Sequence, residues 1–432
     1  AGARPHVARR ERSVMRAAGI ADVPGDKSLS HRALIVGALA DGRSRVRGLL
    51  ESDDVRSTAS VLRALGADIE QADGGVTIAG RGLRRLHPPS RDLDCGNSGT
   101  TARLIAGVVA GHPFAARFVG DASLSRRPMK RIKQPLETMG ATVDLERGDG
   151  LPMTVRGADL KPVVWQTSTA SAQTKSAILL GALVAGVRAE VCEPAPSRDH
   201  TERLLAALGA KVEAGERRVV LEPVERLSPL DFDVPGDPSS AAFLAALALV
   251  ANEGEVVLRD VGLNERRIGF FHVARRIGAD IQWETDREVA GEPVGTIRAR
   301  PSAFRGTAVE AAEIPGMIDE LVLLGCLATR ADGETIVRGA QELRVKESDR
   351  IATVVHNLRS IGADADETPD GFIVRGSMRP LRGTVRTRGD HRVAMAFGVL
   401  ARIPGNDVRV DDASCVAVSY PRFWEDVERL TR

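Results

Sequence analysis

A short theme that returns along the whole chain constrains its fold more than any other feature. VLRALGADIE, containing Gly66, is echoed by PLETMGATVDL with Gly140, RLLAALGAKVEA with Gly209, VARRIGADIQW with Gly278 and HNLRSIGADADE with Gly362. Each copy predicts an amphipathic helix stopped by a glycine in the left-handed cap conformation, followed by an extended stretch. The C-terminal FWEDVERLTR predicts a sixth helix of this kind, ending before its glycine.

A second theme interleaves with the first. Six Gly/Ser/Asp-rich turns each lead into a nearly all-apolar helix: PGDKSLSHRALIVGALA, CGNSGTTARLIAGVVAG, ASAQTKSAILLGALVAG, PGDPSSAAFLAALALVA, IPGMIDELVLLGCLA and RGDHRVAMAFGVLA. Helices that are apolar all round belong inside a core. Short β-branched runs such as GGVTIAG, RRVVLEP and GFIVRG predict strands between them. The chain therefore reads as six α/β units of about 70 residues, each with two helices and several strands. Val23-Pro24-Gly25-Asp26 recurs as Val234-Pro235-Gly236-Asp237, which predicts two similar domains of three units each. Their expected boundaries are 24–233 for one, and 1–23 plus 234–432 for the other, joined near 23 and 234.

Buried helix starts expose unpaired N–H groups and the positive end of a dipole. Three per domain, aimed at one face, predict a cleft suited to a small polyanion. Lys27, Arg32, Lys346, Arg350 and Arg392 add charge at those entries, with Arg127 in a nearby loop. Lysine is otherwise scarce: the chain has seven, against 53 arginines.

Composition excludes several functions. Lys+Arg 60 against Asp+Glu 58 leaves a net charge of +2, and aromatics are only 3% of residues, so neither the charge footprint nor the stacking platform of a nucleic-acid binder is present. No apolar run approaches the length of a membrane helix. Cys95, Cys192, Cys326 and Cys415 are far apart, without ligand spacing, and read as free thiols in a cytoplasmic protein. The Arg-rich residues 1–14 are too short and polar for a secretory signal and read as an extension before Met15. No Walker A, G-x-G-x-x-G, HExxH or GxSxG motif occurs.

Acid/base candidates remain. Asp319, in MIDE, is expected to open a buried apolar helix, where a carboxylate is costly without partners. RVKESDR, with Lys346, Glu347 and Arg350, reads equally as a solvated helix of weak ion pairs or as part of an anion cleft.

The motifs PGDKSLSHRA, GNSGTTARL, GDASLSRRPM, ASAQTKSA, PSRDHTE, PGDPSSAAF, MIDE, ELRVKESDR and GDHRVAMAF, in this order, resemble those of the 5-enolpyruvylshikimate-3-phosphate (EPSP) synthase family. The resemblance implies two domains, each of three βαβαββ units around buried parallel helices (an inside-out α/β barrel), with the active site in the cleft between them. It also implies transfer of the enolpyruvyl group of phosphoenolpyruvate to the 5-hydroxyl of shikimate 3-phosphate, with release of phosphate and no cofactor or metal.

Carried over by motif, Lys27, Ser28, Arg32, Ser171, Ala172, Gln173, Ser197, Asp319 and Lys346 are expected to bind shikimate 3-phosphate. Lys27, Gly99, Arg127, Gln173, Arg350 and Arg392 are expected to bind phosphoenolpyruvate. Asp319 resembles the acceptor of the 5-hydroxyl proton and Glu347 the group that transfers a proton at the methylene carbon, with Lys27 beside them. Ala172 stands where the better-known branch has serine, and Val418 where it has a phosphate-directed lysine. Gly99 leaves room beside phosphoenolpyruvate, which implies inhibition by glyphosate.

A monomer acting on small molecules, with no nucleic-acid or membrane partner, is expected. The nearest rival is the UDP-N-acetylglucosamine enolpyruvyl transferase, whose mobile-loop cysteine is absent from residues 112–128 here. A nucleic-acid-end enzyme on a related repeat scaffold is the rival from another class.

Overall fold

A computed structural model describes residues 14–432. The reading of residues 1–14 as an extension falls, Val14 apart, outside them. Twelve α-helices occur among the described residues. Six are buried along their length: α1 (Lys27–Leu39), α3 (Gly99–Ala110), α5 (Ala172–Ala185), α7 (Pro238–Val250), α9 (Leu321–Ala328) and α11 (His391–Ala401). They alternate with six helices that keep a polar face: α2 (Asp53–Ala64), α4 (Lys130–Met139), α6 (His200–Ala207), α8 (Gly269–Arg276), α10 (Arg350–Ser360) and α12 (Phe423–Leu430). The five expected stop glycines, Gly66, Gly140, Gly209, Gly278 and Gly362, all have positive φ, between 88° and 118°. That conformation suits a residue without Cβ and turns the chain into the next strand.

Strands, helices and hairpins follow one order in each unit. In the clearest case strand 93–94 leads to α3, strand 115–119, α4, and the pair 142–145 and 153–156. Five four-stranded sheets result, each with one parallel pair continued by two antiparallel pairings. The last unit keeps only the parallel pair 382–385 and 407–410 before α12. The helices lie inside and the sheets outside, but the sheets stay separate and do not join into a closed barrel.

Apolar side chains form two cores. One gathers residues from Leu29 to Val234; the other gathers Met15, Ala17 and Ala21 with residues from Ala241 to Leu430. Strand 19–22 pairs with 256–259 of the second core, and strand 231–233 pairs with 45–47 of the first. Between these exchanged strands the chain crosses itself. Asp26 N–H donates to Pro235 O at 2.7 Å and Asp237 N–H to Pro24 O at 2.8 Å. The approach leaves little room for a side chain: a Cβ on Gly236 would lie 2.6 Å from Val23 Cγ2. Asp26 and Asp237 then cap α1 and α7, accepting from Leu29 N–H and Ser239 N–H at 2.8 Å each. Arg267, 3% exposed, reaches both carboxylates from between them, at 3.4 Å and 3.0 Å.

One hairpin departs from the repeat. Strands 280–289 and 292–300 are longer than their counterparts, and Val289 and Ala290 at the tip pack on the first core.

Candidate active site

Helix starts from both cores meet at one cleft, as their turns dictate. Ser98 caps α3, Ser171 caps α5, Asp349 caps α10 and Asp390 caps α11, each accepting a backbone N–H in the first turn. Two adjoining pockets lie there. One is bordered by Gly99, Arg127, Ser171 and Ser197, the other by Ser28, Arg32, Asp319, Arg350 and Arg392, while Lys27, Ala172, Gln173, Lys346 and Glu347 border both. Every residue expected from the sequence to bind a substrate or move a proton therefore borders this cleft. Val418 borders neither pocket.

Two local expectations need correction. Asp319 does not open a helix: α9 begins at Leu321, and Asp319 lies in the preceding turn. Glu320, at the helix start, makes no side-chain cap. Lys346 and Glu347 are not on a helix either. A 3₁₀ turn ends at Val345 and α10 starts at Arg350, so the solvated-helix reading of RVKESDR fails and both side chains reach the cleft.

Arg350 is the hub of the second pocket. Its side chain is 1% exposed; Nη1 donates to Asp319 at 3.2 Å, Nη2 to Glu347 at 2.8 Å, and Nε to Asp390 at 2.9 Å. Asp319 also pairs with Arg198, and Lys346 Nζ lies 3.9 Å away. Burial alone would raise the Asp319 pKa, but Arg198, Lys346, Arg392 and Arg350 outweigh it and hold the carboxyl well below its usual range. Burial likewise opposes ionisation of Glu347, and Arg350, Arg127 and Lys27 overcome it. Both groups are thus carboxylates in the ligand-free protein.

The remaining cations differ in how firmly they are held. Arg127 donates to Asn97 Oδ1 at 2.7 Å and lies 3.8 Å from Glu347. Arg392 Nη1 is buried without a hydrogen-bond partner, 3.7 Å from Glu320. Lys27 pairs with Asp54. Arg32 is more occupied than expected: it donates to Thr201 at 2.7 Å, Ser28 O at 3.0 Å and Ser176 at 3.0 Å. The Gln173 amide accepts from Arg103 at 2.6 Å and donates to Thr100 at 2.9 Å.

Sequence reasoning missed five participants. Arg198 bridges Ser28 at 3.4 Å and Asp319, and its signal was its place beside Ser197 in PSRDHTE. Arg103, inside GNSGTTARL, had the same kind of signal. Asp54 and the pair Arg131–Glu342, 2.9 Å apart across the mouth, had none, because only tertiary structure brings them to the cleft. The loop carrying Ser197 and Arg198 is gripped from the second core: Asn264 donates to Asp199 at 2.7 Å and His200 Nδ1 lies 2.7 Å from Glu292. No cluster of three or more side chains of metal-binding type occurs among the described residues. Nor is any helix among them long and apolar enough to cross a membrane.

Known proteins are similar to this chain in sequence and in fold. The family model for EPSP synthase (3-phosphoshikimate 1-carboxyvinyltransferase) matches residues 12–427. The 3-phosphoshikimate 1-carboxyvinyltransferase of Sulfurihydrogenibium sp. is 43% identical over 426 residues, covering 98% of this chain and 99% of its own. That of Alkalilimnicola ehrlichii is 46% identical over 405 residues, covering 93% and 91%. The solved EPSP synthase of Acinetobacter baumannii superposes with a TM-score of 0.85 at 37% identity, covering 97% of each chain. The enolpyruvyl transferase NikO of Streptomyces tendae, at 18% identity and a TM-score of 0.75, shares the fold. With a model match over nearly its whole length and relatives this similar, the chain belongs to the EPSP synthase (3-phosphoshikimate 1-carboxyvinyltransferase) family.

Proposed function

We infer that the chain joins the enolpyruvyl group of phosphoenolpyruvate to the 5-hydroxyl of shikimate 3-phosphate and releases inorganic phosphate. The observation that carries this reading is the pair of carboxylates, Asp319 and Glu347, bound to two nitrogens of one buried guanidinium in the second cationic pocket, with Glu347 bordering the first as well. The chemistry needs such a pair. The attacking hydroxyl must lose a proton while the methylene carbon gains one, and phosphate can leave only when the methyl carbon gives a proton back.

In this reading Asp319 takes the hydroxyl proton and Glu347 serves the methylene carbon. Lys27, Ser28, Arg32, Ser171, Ala172, Gln173, Ser197 and Lys346 surround shikimate 3-phosphate; Lys27, Gly99, Arg127, Gln173, Arg350 and Arg392 surround phosphoenolpyruvate. Arg198 joins the first group, lying between Ser28 and Asp319. The low pKa values of the two carboxyls belong to the empty cleft. When phosphate and carboxylate groups of the substrates draw Arg198, Lys346, Arg127 and Arg350 toward themselves, those cations stabilise the carboxylates less. Proton affinity then rises where the reaction needs it.

We further assign the two cores to domains 24–233 and 1–23 plus 234–432. One chain supplies both walls of the cleft, so a monomer suffices. Four unpaired cysteines favour a cytoplasmic setting.

The test is phosphate release from phosphoenolpyruvate with either shikimate 3-phosphate or UDP-N-acetylglucosamine as acceptor. Release with the first alone, with the enolpyruvyl product identified by mass, is expected. Release with the second alone would overturn the substrate assignment.

Glyphosate is expected to compete with phosphoenolpyruvate. A Cβ on Gly99 would lie 2.8 Å from Arg103 Nη1 and 3.5 Å from Arg127 Nη1, so Gly99→Ala must displace a guanidinium. Both the KM for phosphoenolpyruvate and the glyphosate inhibition constant should rise on the order of tenfold, equivalent to about 1.4 kcal/mol. Steady-state rates at varied phosphoenolpyruvate and glyphosate check this; unchanged constants would remove Gly99 from the subsite.

A further inference from the structure

Ser171 and Ser197 lie on separate loops, yet a single side chain holds both. The Glu193 carboxylate, 5% exposed, lies behind the pocket wall. Its Oε1 accepts the Ser171 N–H at 3.1 Å and its Oε2 accepts the Ser197 hydroxyl at 2.9 Å. The same Oε2 meets Lys175 Nζ at 2.7 Å, and Lys175 continues to Glu202 at 2.8 Å.

This is an odd place for a negative charge. A carboxylate behind a pocket that takes a phosphate repels the ligand, and its own burial is costly without partners. Lys175, one of only seven lysines and 1% exposed, offsets part of both costs, as a cation that Glu193 shares with Glu202. What the carboxylate contributes is geometry. It fixes the start of α5 against the loop 194–198 and sets the direction of a hydroxyl. Ser197 has one proton and gives it to Glu193, so toward the pocket it offers lone pairs. The donors at this corner are the Ser171 hydroxyl, which accepts from Thr174 and keeps its own proton free, the Ala172 and Gln173 N–H groups, which lack intrahelical partners, and the Arg198 guanidinium.

We propose that Glu193, paired with Lys175, is a positioning residue for the phosphate group of shikimate 3-phosphate. It holds the two loops at the separation the phosphate needs. The proposal rests on the reading of Ser171 and Ser197 as the phosphate corner.

Shikimate, the same ring without its phosphate, separates this role from a merely structural one. Calorimetric titration of both ligands compares the wild type with Glu193→Ala, Glu193→Asp and Glu193→Gln. Glu193→Ala is expected to weaken shikimate 3-phosphate binding about tenfold, the scale of one lost hydrogen-bonded contact, and to leave shikimate within about twofold. Glu193→Gln keeps the arm length and an acceptor for Ser171 N–H, and should recover to within about threefold of wild type. If the alanine variant does not fold, Glu193→Asp carries the test. It keeps the charge opposite Lys175 but is one methylene too short to reach both loops, and should lose affinity selectively for the phosphorylated ligand.

Unchanged shikimate 3-phosphate binding in the alanine and aspartate variants would overturn the proposal. Equal loss of both ligands, in variants that melt like the wild type, would overturn it too. A wild-type protein that binds no shikimate 3-phosphate would instead overturn the functional reading beneath it.

Discussion

With Asp319 replaced by asparagine, turnover is expected to fall about 10³-fold, within the range of a lost general base. Shikimate 3-phosphate should still bind as well as before, or better. Asp319 occupies Arg198 and Arg350 and lies near Lys346 in the empty cleft. Removing its charge leaves three cations less satisfied, and an anionic ligand can take its place. The asparagine retains size and polarity, so the turn before α9 has no reason to collapse. Steady-state kcat and direct binding of shikimate 3-phosphate separate the two effects. A kcat near that of the wild type would exclude Asp319 from the proton path. Loss of binding in parallel with turnover would make it a ligand contact and nothing more.

Acid should destabilise the fold well before its carboxylates titrate. His31 on α1 and His391 on α11 are both buried and held neutral. Burial draws the His31 pKa down to about 3, with Lys27 and Arg32 adding to the effect and Asp54 and Asp26 opposing it. Burial also draws His391 to about 3, aided by Arg392 and Lys27 against Asp390 and Glu347. In the unfolded chain both return to about 6.5. Between these values the unfolded state binds protons that the folded state refuses, so stability falls as pH falls. The contribution is fully present above about pH 6.5 and is lost progressively toward pH 3. From pH 7.5 to pH 5 the two residues together should remove about 4 kcal/mol, from the linkage relation applied to each. Denaturant unfolding at the two pH values measures this, and His31→Gln should halve the slope. Stability at pH 5 within about 1 kcal/mol of that at pH 7.5 would contradict it.

The repeat made most of the fold legible because its signals are local. A glycine after an amphipathic helix, such as Gly140 or Gly278, needs no distant partner to take positive φ. An all-apolar helix such as α7 declares its burial by composition alone. The site was legible for a related reason: its cations and hydroxyls stand in turns that the repeat singles out. Pairings made at a distance were not legible. Nothing in GLLESDDV marks Asp54 as the partner of Lys27, and nothing in EVCEPAPS marks Glu193 as the anchor of two loops. The expected helix at Asp319 failed because apolar composition predicts burial without fixing where a helix begins: a 3₁₀ turn at Ile314–Gly316 and a further turn over 317–320 precede Leu321.

The exchanged strands also set an order of events during synthesis. Strand 231–233 is made last among the elements of the first core, so the sheets of that core need no strand synthesised after it. Strand 19–22 has the opposite schedule: it emerges among the first segments and waits, unpaired, until 256–259 has been made. Through that interval the nascent chain presents Ile20 and a row of free peptide groups beside an otherwise finished half, the kind of edge on which chains associate wrongly. The first half can fold as the chain grows; the second cannot close until its beginning is brought back to it.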